Sequence, residues 1–193
     1  MVYVRSRDGN AYALDAATGA IVWTVSIGGK PMFGFPPSTS SPAVADGMVY
    51  VAGPYNGVLY ALDTATGATV WTATAGFTVE GTPAVGGGIV YALLGRGLGS
   101  ADLRALNADT GAVVWAVPGT SLSSPSSVSP VVANGVLYTG TAGGVLVARD
   151  AATGTILLTD STAIRSTRSY SAVVVANGAV YARRDSGVSA HHP

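Results

Sequence analysis

Short hydrophobic runs alternate with short polar turns along the whole chain. Between residues 41 and 74 the order is SPAVA, MVYVA, GVLYALD and ATVWTAT, with Asp46-Gly47 between the first two runs. Short runs rich in Val, Tyr and Thr and bounded by Gly, Asp or Asn are typical of β-strands, and Asp-Gly between two of them is a strong hairpin signal. The pattern therefore predicts four antiparallel strands joined by tight turns.

This four-strand pattern repeats. The segment ALDAATGAIVW (13–23) returns as ALDTATGATVW (61–71), as ALNADTGAVVW (105–115) and, in altered form, as ARDAATGTILL (148–158). The register is marked by Gly19, Gly67, Gly111 and Gly154, at steps of 48, 44 and 43 residues. A period in the forties built of short strands predicts the blades of a β-propeller, because one such unit cannot bury both of its faces alone.

The expected fold class is all-β: a β-propeller of four-stranded antiparallel blades, present as a partial ring of about four repeats. The predicted boundaries are a partial blade at 1–26, blades at 41–74, 82–117 and 129–159, a terminal hairpin at 170–183 and a disordered tail at 187–193. The first segment lacks its opening strand, and the terminal hairpin offers a candidate for it. Three arrangements stay open: a closed four-bladed ring, a piece of a longer protein, or two copies that associate through open blade edges into about eight blades.

Three positions of each repeat have predicted structural roles. An Asp or Asn ends one strand and accepts backbone N–H groups, and a glycine closes the turn. A tryptophan on the next strand packs between adjacent blades while its indole N–H meets a carbonyl. These residues are Asp15, Gly19 and Trp23; Asp63, Gly67 and Trp71; and Asn107, Gly111 and Trp115. Leu158 takes the tryptophan position in the fourth copy, so that blade is expected to pack less strongly or to lie at an end.

Charge and composition exclude several classes of function. Ten Lys and Arg balance ten Asp and Glu, so nothing favours nucleic acid or an anionic membrane as a partner. No apolar run approaches the roughly 20 residues of a membrane span, so direct membrane insertion is not expected. The absence of cysteine removes disulfides, thiolate metal sites and thiol nucleophiles. No catalytic, cofactor-binding or metal-binding residue is predicted.

The interval GGKPMFGFPPSTS, from residue 28 to 40, departs most from the repeat. It carries Met32, Phe33 and Phe35 in a proline-rich loop, and these side chains are costly to leave in water. They either cap a face of the propeller or contact a partner, since loops on a rigid scaffold are where binding usually resides. The three residues form the candidate interaction loop.

The A-L-D-x-x-T-G-x-x-x-W copies, with SPAVADGMVYV and GVLYALD between them, resemble the pyrroloquinoline-quinone-like (PQQ-like) β-propeller repeat family. In that family the glycine and tryptophan element is known as the tryptophan-docking motif. Its quinoprotein alcohol and glucose dehydrogenases bind the quinone and calcium on the axis of an eight-bladed ring. Other members are the scaffold lipoprotein of the outer-membrane β-barrel assembly machine and extracytoplasmic sensor domains of bacterial serine/threonine kinases.

The resemblance implies a non-catalytic scaffold or binding module, closest to the outer-membrane assembly branch, with a protein or peptide partner and no cofactor. The dehydrogenases typically place a vicinal cysteine pair against the quinone, and this chain has none. The alternatives are a fragment of a PQQ-dependent dehydrogenase, which would require the quinone and calcium, and a kinase sensor domain. A periplasmic or extracellular location in a bacterium is implied. The N-terminus does not read as a signal peptide, so the true N-terminus is expected upstream.

Overall fold

The computed structural model describes residues 1–28, 40–74, 76, 78–97, 100–121, 129–140, 145–160, 172–184 and 187–191, and these form eighteen strands in five antiparallel sheets. Sheet 1 contains β1 (Val2–Arg5), β2 (Asn10–Leu14) and β3 (Ile21–Ser26); sheet 2 contains β4 (Ala43–Ala45), β5 (Met48–Ala52), β6 (Val58–Asp63) and β7 (Thr69–Thr74); sheet 3 contains β8 (Thr78–Gly86), β9 (Ile89–Gly97), β10 (Ser100–Asn107) and β11 (Val113–Ser121). Sheet 4 contains β12 (Val131–Ala133), β13 (Val136–Gly140), β14 (Leu146–Asp150) and β15 (Ile156–Asp160); sheet 5 contains β16 (Ala172–Ala176), β17 (Ala179–Arg184) and β18 (Gly187–His191).

Within each sheet, neighbouring strands follow chain order, and we label the four positions a to d. Tyr3 faces Ala13 and Tyr50 faces Ala61, so β1 corresponds to β5 and sheet 1 holds positions b to d. In sheet 5, Tyr181 of β17 faces Ala190 of β18 in the same way, so β17 and β18 are strands b and c and sheet 5 holds positions a to c.

The a–b hairpins follow from their turn residues. Asp46 and Gly47 have φ values of 48° and 78°, and Asn134 and Gly135 have 50° and 74°. Two central residues with positive φ define the type I′ turn, whose twist matches that of the flanking strands. The tight hairpin predicted at Asp46-Gly47 is therefore present.

Successive sheets stack face to face. The a strands β4, β8, β12 and β16 contact one another in that order, and each pair of neighbouring sheets buries one hydrophobic cluster between them. In the cluster between sheets 1 and 2, Trp23 and Ala13 pack against Val49 and Leu62. This is the predicted β-propeller architecture, present as an unclosed arc of blades.

The two ends of the chain differ from their predicted bounds. Residues 187–191, assigned above to a disordered tail, form β18, which pairs with β17 from Val180↔His191 to Arg184↔Gly187. The alternation GVSAH is too short to be distinguished from a tail by pattern alone, and β17 supplies the missing pairing edge. β16 and β17 lie in this separate sheet, and sheet 1 consists of β1 to β3 without them.

Candidate functional site

The c–d turn of each repeat is held by one side-chain oxygen. Asp63 Oδ1 accepts hydrogen bonds from the backbone N–H groups of Ala65 (3.1 Å) and Thr66 (2.8 Å) and from the Thr66 hydroxyl (2.7 Å). Asp15 and Asn107 bind their turns in the same way. The threonine hydroxyl, followed by the backbone donors, lowers the pKa of the Asp15 and Asp63 carboxyls. These residues are committed to the turn.

Each tryptophan reaches the turn of the following sheet. The indole N–H donates to a backbone carbonyl from Trp23 to Thr64 (3.0 Å), from Trp71 to Ala108 (2.7 Å) and from Trp115 to Ala151 (3.0 Å). The accepting residue always directly follows the Asp or Asn of the turn.

A tyrosine on strand b donates to the same carbonyl. The hydroxyl–carbonyl distances are 3.2 Å from Tyr3 to Thr64, 3.3 Å from Tyr50 to Ala108 and 3.0 Å from Tyr91 to Ala151. The two rings also contact each other, with centroids 5.8 Å apart for Tyr50 and Trp71. Burial is the main cause of the raised pKa of Tyr50 and Tyr91. We call the two donors and their carbonyl the turn clamp.

The turn glycine completes the clamp because the indole lies against it. A Cβ atom on Gly111 would lie 2.8 Å from Trp71 Cδ2, and one on Gly67 would lie 2.8 Å from Trp23 Cδ2. Gly19 has the same turn conformation, yet a Cβ atom there would meet nothing within 4 Å. Leu158, at the tryptophan position of sheet 4, is half exposed. The motif residues therefore join neighbouring sheets and do not converge on one site.

The clamp tyrosines were not singled out in the sequence. The signal that identifies them is a Tyr after Val or Leu in each b strand, which recurs at the equivalent positions 138 and 181. Their role depends on partners about 60 residues away, which periodicity alone does not reveal.

The a–b and c–d turns share one edge of the sheets, which we call the turn edge, and the b–c and d–a connections leave from the opposite, loop edge. β3, the strand that precedes the predicted interaction loop in the sequence, ends at the loop edge, and Met32, Phe33 and Phe35 lie outside the described residues.

The chain just before residue 29 is firmly anchored at the loop edge. Ile27 is fully buried, and its carbonyl accepts a hydrogen bond from Asn56 Nδ2 at 3.0 Å. Asn56 Nδ2 also lies 2.8 Å from the Tyr60 hydroxyl, and Asn56 Oδ1 accepts from Val58 N at 3.1 Å. Gly53 is required beside this amide, because a Cβ atom there would overlap both Asn56 and the Ile27 carbonyl. The base of the interaction loop is thus tied to sheet 2.

Hydroxyl groups link neighbouring a strands at or just before the strands. Ser41 N donates to Thr82 Oγ1 at 3.0 Å, and Thr82 N donates to Ser129 Oγ at 2.9 Å. Each of the three residues precedes a proline, so the repeated Ser/Thr-Pro pair is a signal that could have located them. These bonds hold successive blades together at their a strands.

Sheet 3 extends furthest towards the loop edge and carries a charged pair there. Asp102 is buried, and its carboxylate lies 3.3 Å from Arg104 Nη2 and accepts from Gly119 N at 3.2 Å. Arg104 Nη1 also donates to the Thr74 carbonyl at 3.4 Å, which connects sheet 3 with sheet 2. The polar groups at this edge brace the bases of the connections.

At the turn edge, a cleft of about 330 Å³ lies between sheets 3 and 4. Its one charged wall residue, Asp150, already binds the Thr153 backbone N–H and hydroxyl.

Among the described residues, no three His, Asp or Glu side chains are grouped as metal ligands. No helix in the described part of the chain has the length and hydropathy needed to cross a membrane.

Comparison with known families gives one match along nearly the whole chain. The family model described as outer membrane protein assembly factor BamB matches residues 2–191, and the chain belongs to this PQQ-like repeat family. The sequence matches no curated protein at a significant level.

Several solved structures are similar in fold. The crystal structure of BamB from Moraxella catarrhalis is 22% identical, with a TM-score of 0.54, over 98% of this chain and 68% of that one. The computationally designed protein Ika8 is 17% identical, with a TM-score of 0.75, over 97% of this chain and 54% of Ika8. Quinohemoprotein alcohol dehydrogenase from Comamonas testosteroni is 20% identical, with a TM-score of 0.72, over 98% of this chain and 41% of the dehydrogenase. The chain thus spans about half the length of Ika8 and less than half that of the dehydrogenase. At these identities the likeness shows the fold alone.

Proposed function

Because the chain belongs to the outer membrane protein assembly factor BamB family, we propose that it is a non-catalytic scaffold module of the bacterial cell envelope. It presents its loop edge to a protein partner, with Met32, Phe33 and Phe35 as apolar anchors. The supporting observation is the difference between the two edges of the sheets. At the turn edge the polar groups that recur in each repeat are bound in internal hydrogen bonds, whereas the segment that departs most from the repeat in sequence follows a strand that ends at the loop edge.

A rigid base makes such a loop effective. The Asn56 bridge to Ile27 and the Asp102–Arg104 pair fix the chain where it leaves the sheets. A loop whose ends are fixed loses less conformational entropy on binding than one whose ends are free, so more of the apolar contact energy contributes to affinity. Buried aromatic and methionine side chains are also enriched at the centres of protein interfaces.

The partner is best identified by site-specific photo-cross-linking in the bacterium that encodes the chain. A photoreactive residue replaces Phe33 or Phe35 in two variants, and Ala65 or Ala152 in two controls at exposed positions of the turn edge. We expect adducts with one envelope protein of the outer-membrane assembly machinery from the first pair only. Equal labelling from both edges, or no adduct from either loop position, would contradict the proposal.

The competing function is that of a PQQ-dependent dehydrogenase, since such an enzyme shares the fold. Purified chain is mixed with PQQ, calcium and an alcohol or glucose, and reduction of an artificial electron acceptor is followed. We expect no quinone-dependent turnover. Specific turnover would replace the scaffold assignment with an enzymatic one.

A further inference from the structure

The two end sheets expose the same faces that all other sheets bury. We call the side of each sheet that carries the clamp tyrosine, or Tyr138 and Tyr181 at the equivalent positions of sheets 4 and 5, its forward face, and the opposite side its back face. In every neighbouring pair, the forward face of one sheet packs on the back face of the next. The back face of sheet 1 and the forward face of sheet 5 therefore have the surface of this interface without its partner.

The exposed fractions make the comparison quantitative for the back face. On sheet 2 this face carries Val49 and Val51, which are 1% and 0% exposed under sheet 1. The register places Val2 and Val4 at the same positions of sheet 1, where they are 48% and 39% exposed. Both positions of sheet 1 are apolar, although no sheet of the described chain covers them.

The forward face shows the same difference at the other end. The clamp tyrosines Tyr50 and Tyr91 are each 1% exposed, whereas Tyr181 of sheet 5 is 38% exposed. Val174 faces Tyr181 across the strands and is 55% exposed, and Val188 on the same face is 68% exposed. Val174 and Val188 thus accompany the Tyr181 hydroxyl donor, and the register places Arg183 directly opposite Val188.

The back face of sheet 1 also offers the matching acceptor. The Ala16 carbonyl is the equivalent of the Thr64, Ala108 and Ala151 carbonyls, each of which accepts from a clamp tyrosine. No hydrogen-bond donor among the described residues reaches the Ala16 carbonyl. The turn around it has the standard geometry, with Gly19 N bound to the Asp15 carbonyl at 2.9 Å.

We propose that two copies of this chain associate head to tail. The forward face of sheet 5 in one copy packs on the back face of sheet 1 in the other, and the Tyr181 hydroxyl donates to the Ala16 carbonyl. This contact continues the interface that the chain already makes four times between its own sheets. The chain covers 54% of the length of Ika8, so two copies together have about the length of that one propeller chain. The inference is independent of the partner proposed above.

The test uses charge substitutions at exposed positions, which leave the fold of one copy intact. Val4→Glu places a charge on the back face, and Val188→Glu places one on the forward face. Val70→Glu is the control on β7, the d strand of sheet 2, where Val70 is 48% exposed. Molar mass is measured by sedimentation velocity over a wide range of concentration, and circular dichroism checks that each variant is folded. We expect a two-copy species for the unchanged chain and for Val70→Glu, and a single copy for the two face variants.

Mixing the two face variants distinguishes head-to-tail contact from other arrangements. Val4→Glu retains an intact forward face and Val188→Glu an intact back face, so their mixture restores a two-copy species that neither forms alone. Tyr181→Phe keeps the ring but removes the donor, and it should raise the dissociation constant of the unchanged interface about threefold to tenfold. Three results would overturn the proposal. The unchanged chain could remain a single copy at all concentrations, or the mixture of face variants could stay monomeric. The two-copy species could also persist in both face variants, as expected for edge-to-edge strand pairing.

Discussion

Gly111→Ala and Gly19→Ala form a matched pair that isolates the contact between a tryptophan and the next turn. Both glycines have a φ of 72° and both occupy the same position of the same turn. Placing alanine in this left-handed conformation costs about 1 kcal/mol at either site. The two sites differ in their surroundings, since a Cβ atom on Gly111 would lie 2.8 Å from Trp71 Cδ2 and Cε3, whereas one on Gly19 would meet nothing within 4 Å.

The crowding at Gly111 adds the cost of overpacking. Forcing one extra carbon into a filled contact typically costs about 1–3 kcal/mol. Trp71 cannot withdraw freely, because its indole N–H is bound to the Ala108 carbonyl at 2.7 Å and its ring packs beside Tyr50. We therefore expect a loss of about 1 kcal/mol for Gly19→Ala and about 2–4 kcal/mol for Gly111→Ala.

Urea denaturation followed by circular dichroism measures both free energies of unfolding, at a concentration where the chain is a single copy. Combining Gly111→Ala with Trp71→Ala closes a double-mutant cycle. Trp71→Ala alone should cost about 3–5 kcal/mol, and in its presence the extra cost of Gly111→Ala should vanish. Equal losses at Gly19 and Gly111, or an unchanged cost of Gly111→Ala without the indole, would refute the packing argument.

Three further predictions concern hydrogen bonds. Because the Thr66 hydroxyl and backbone N–H groups lower the pKa of Asp63, the stabilisation from that carboxylate is fully present above the unfolded-state pKa of about 3.9 and is lost as the pH falls through the lower native value. Asp63→Asn, which copies Asn107, should flatten the acid limb of a stability–pH profile, and an unchanged limb would contradict this. Tyr91→Phe should lower the free energy of unfolding by about 0.5–1.5 kcal/mol, because the Ala151 carbonyl then keeps only Trp115 as a side-chain donor. Tyr138→Phe is the control, since the Tyr138 hydroxyl meets no acceptor among the described residues, and it should be nearly neutral in the same assay. Asn56→Ala should cost about 1–3 kcal/mol in thermal or urea unfolding, since it leaves the Ile27 carbonyl without this donor, and no loss would show that the bridge is dispensable.

Local chemistry in the sequence determined the repeating unit of this protein. The Asp46-Gly47 hairpin and the c–d turn around Asp63 depend on bonds between residues only two or three positions apart, so their residue types are sufficient to predict them. The position of Trp71 on strand d follows from the same spacing, and so does the number of strands in each complete sheet.

The tertiary structure determined how neighbouring repeats contact one another. Trp71 and Tyr50 share the Ala108 carbonyl because two sheets stack, and the sequence separations of 37 and 58 residues place that contact beyond any local pattern. Gly111 is crowded and Gly19 is open although their turns are alike, because only Gly111 has a preceding sheet in the chain. Likewise, GVSAH becomes a strand because β17 offers it a pairing edge. Turn conformation is fixed by nearest neighbours, whereas burial, crowding and the open faces of sheets 1 and 5 depend on which sheet lies alongside.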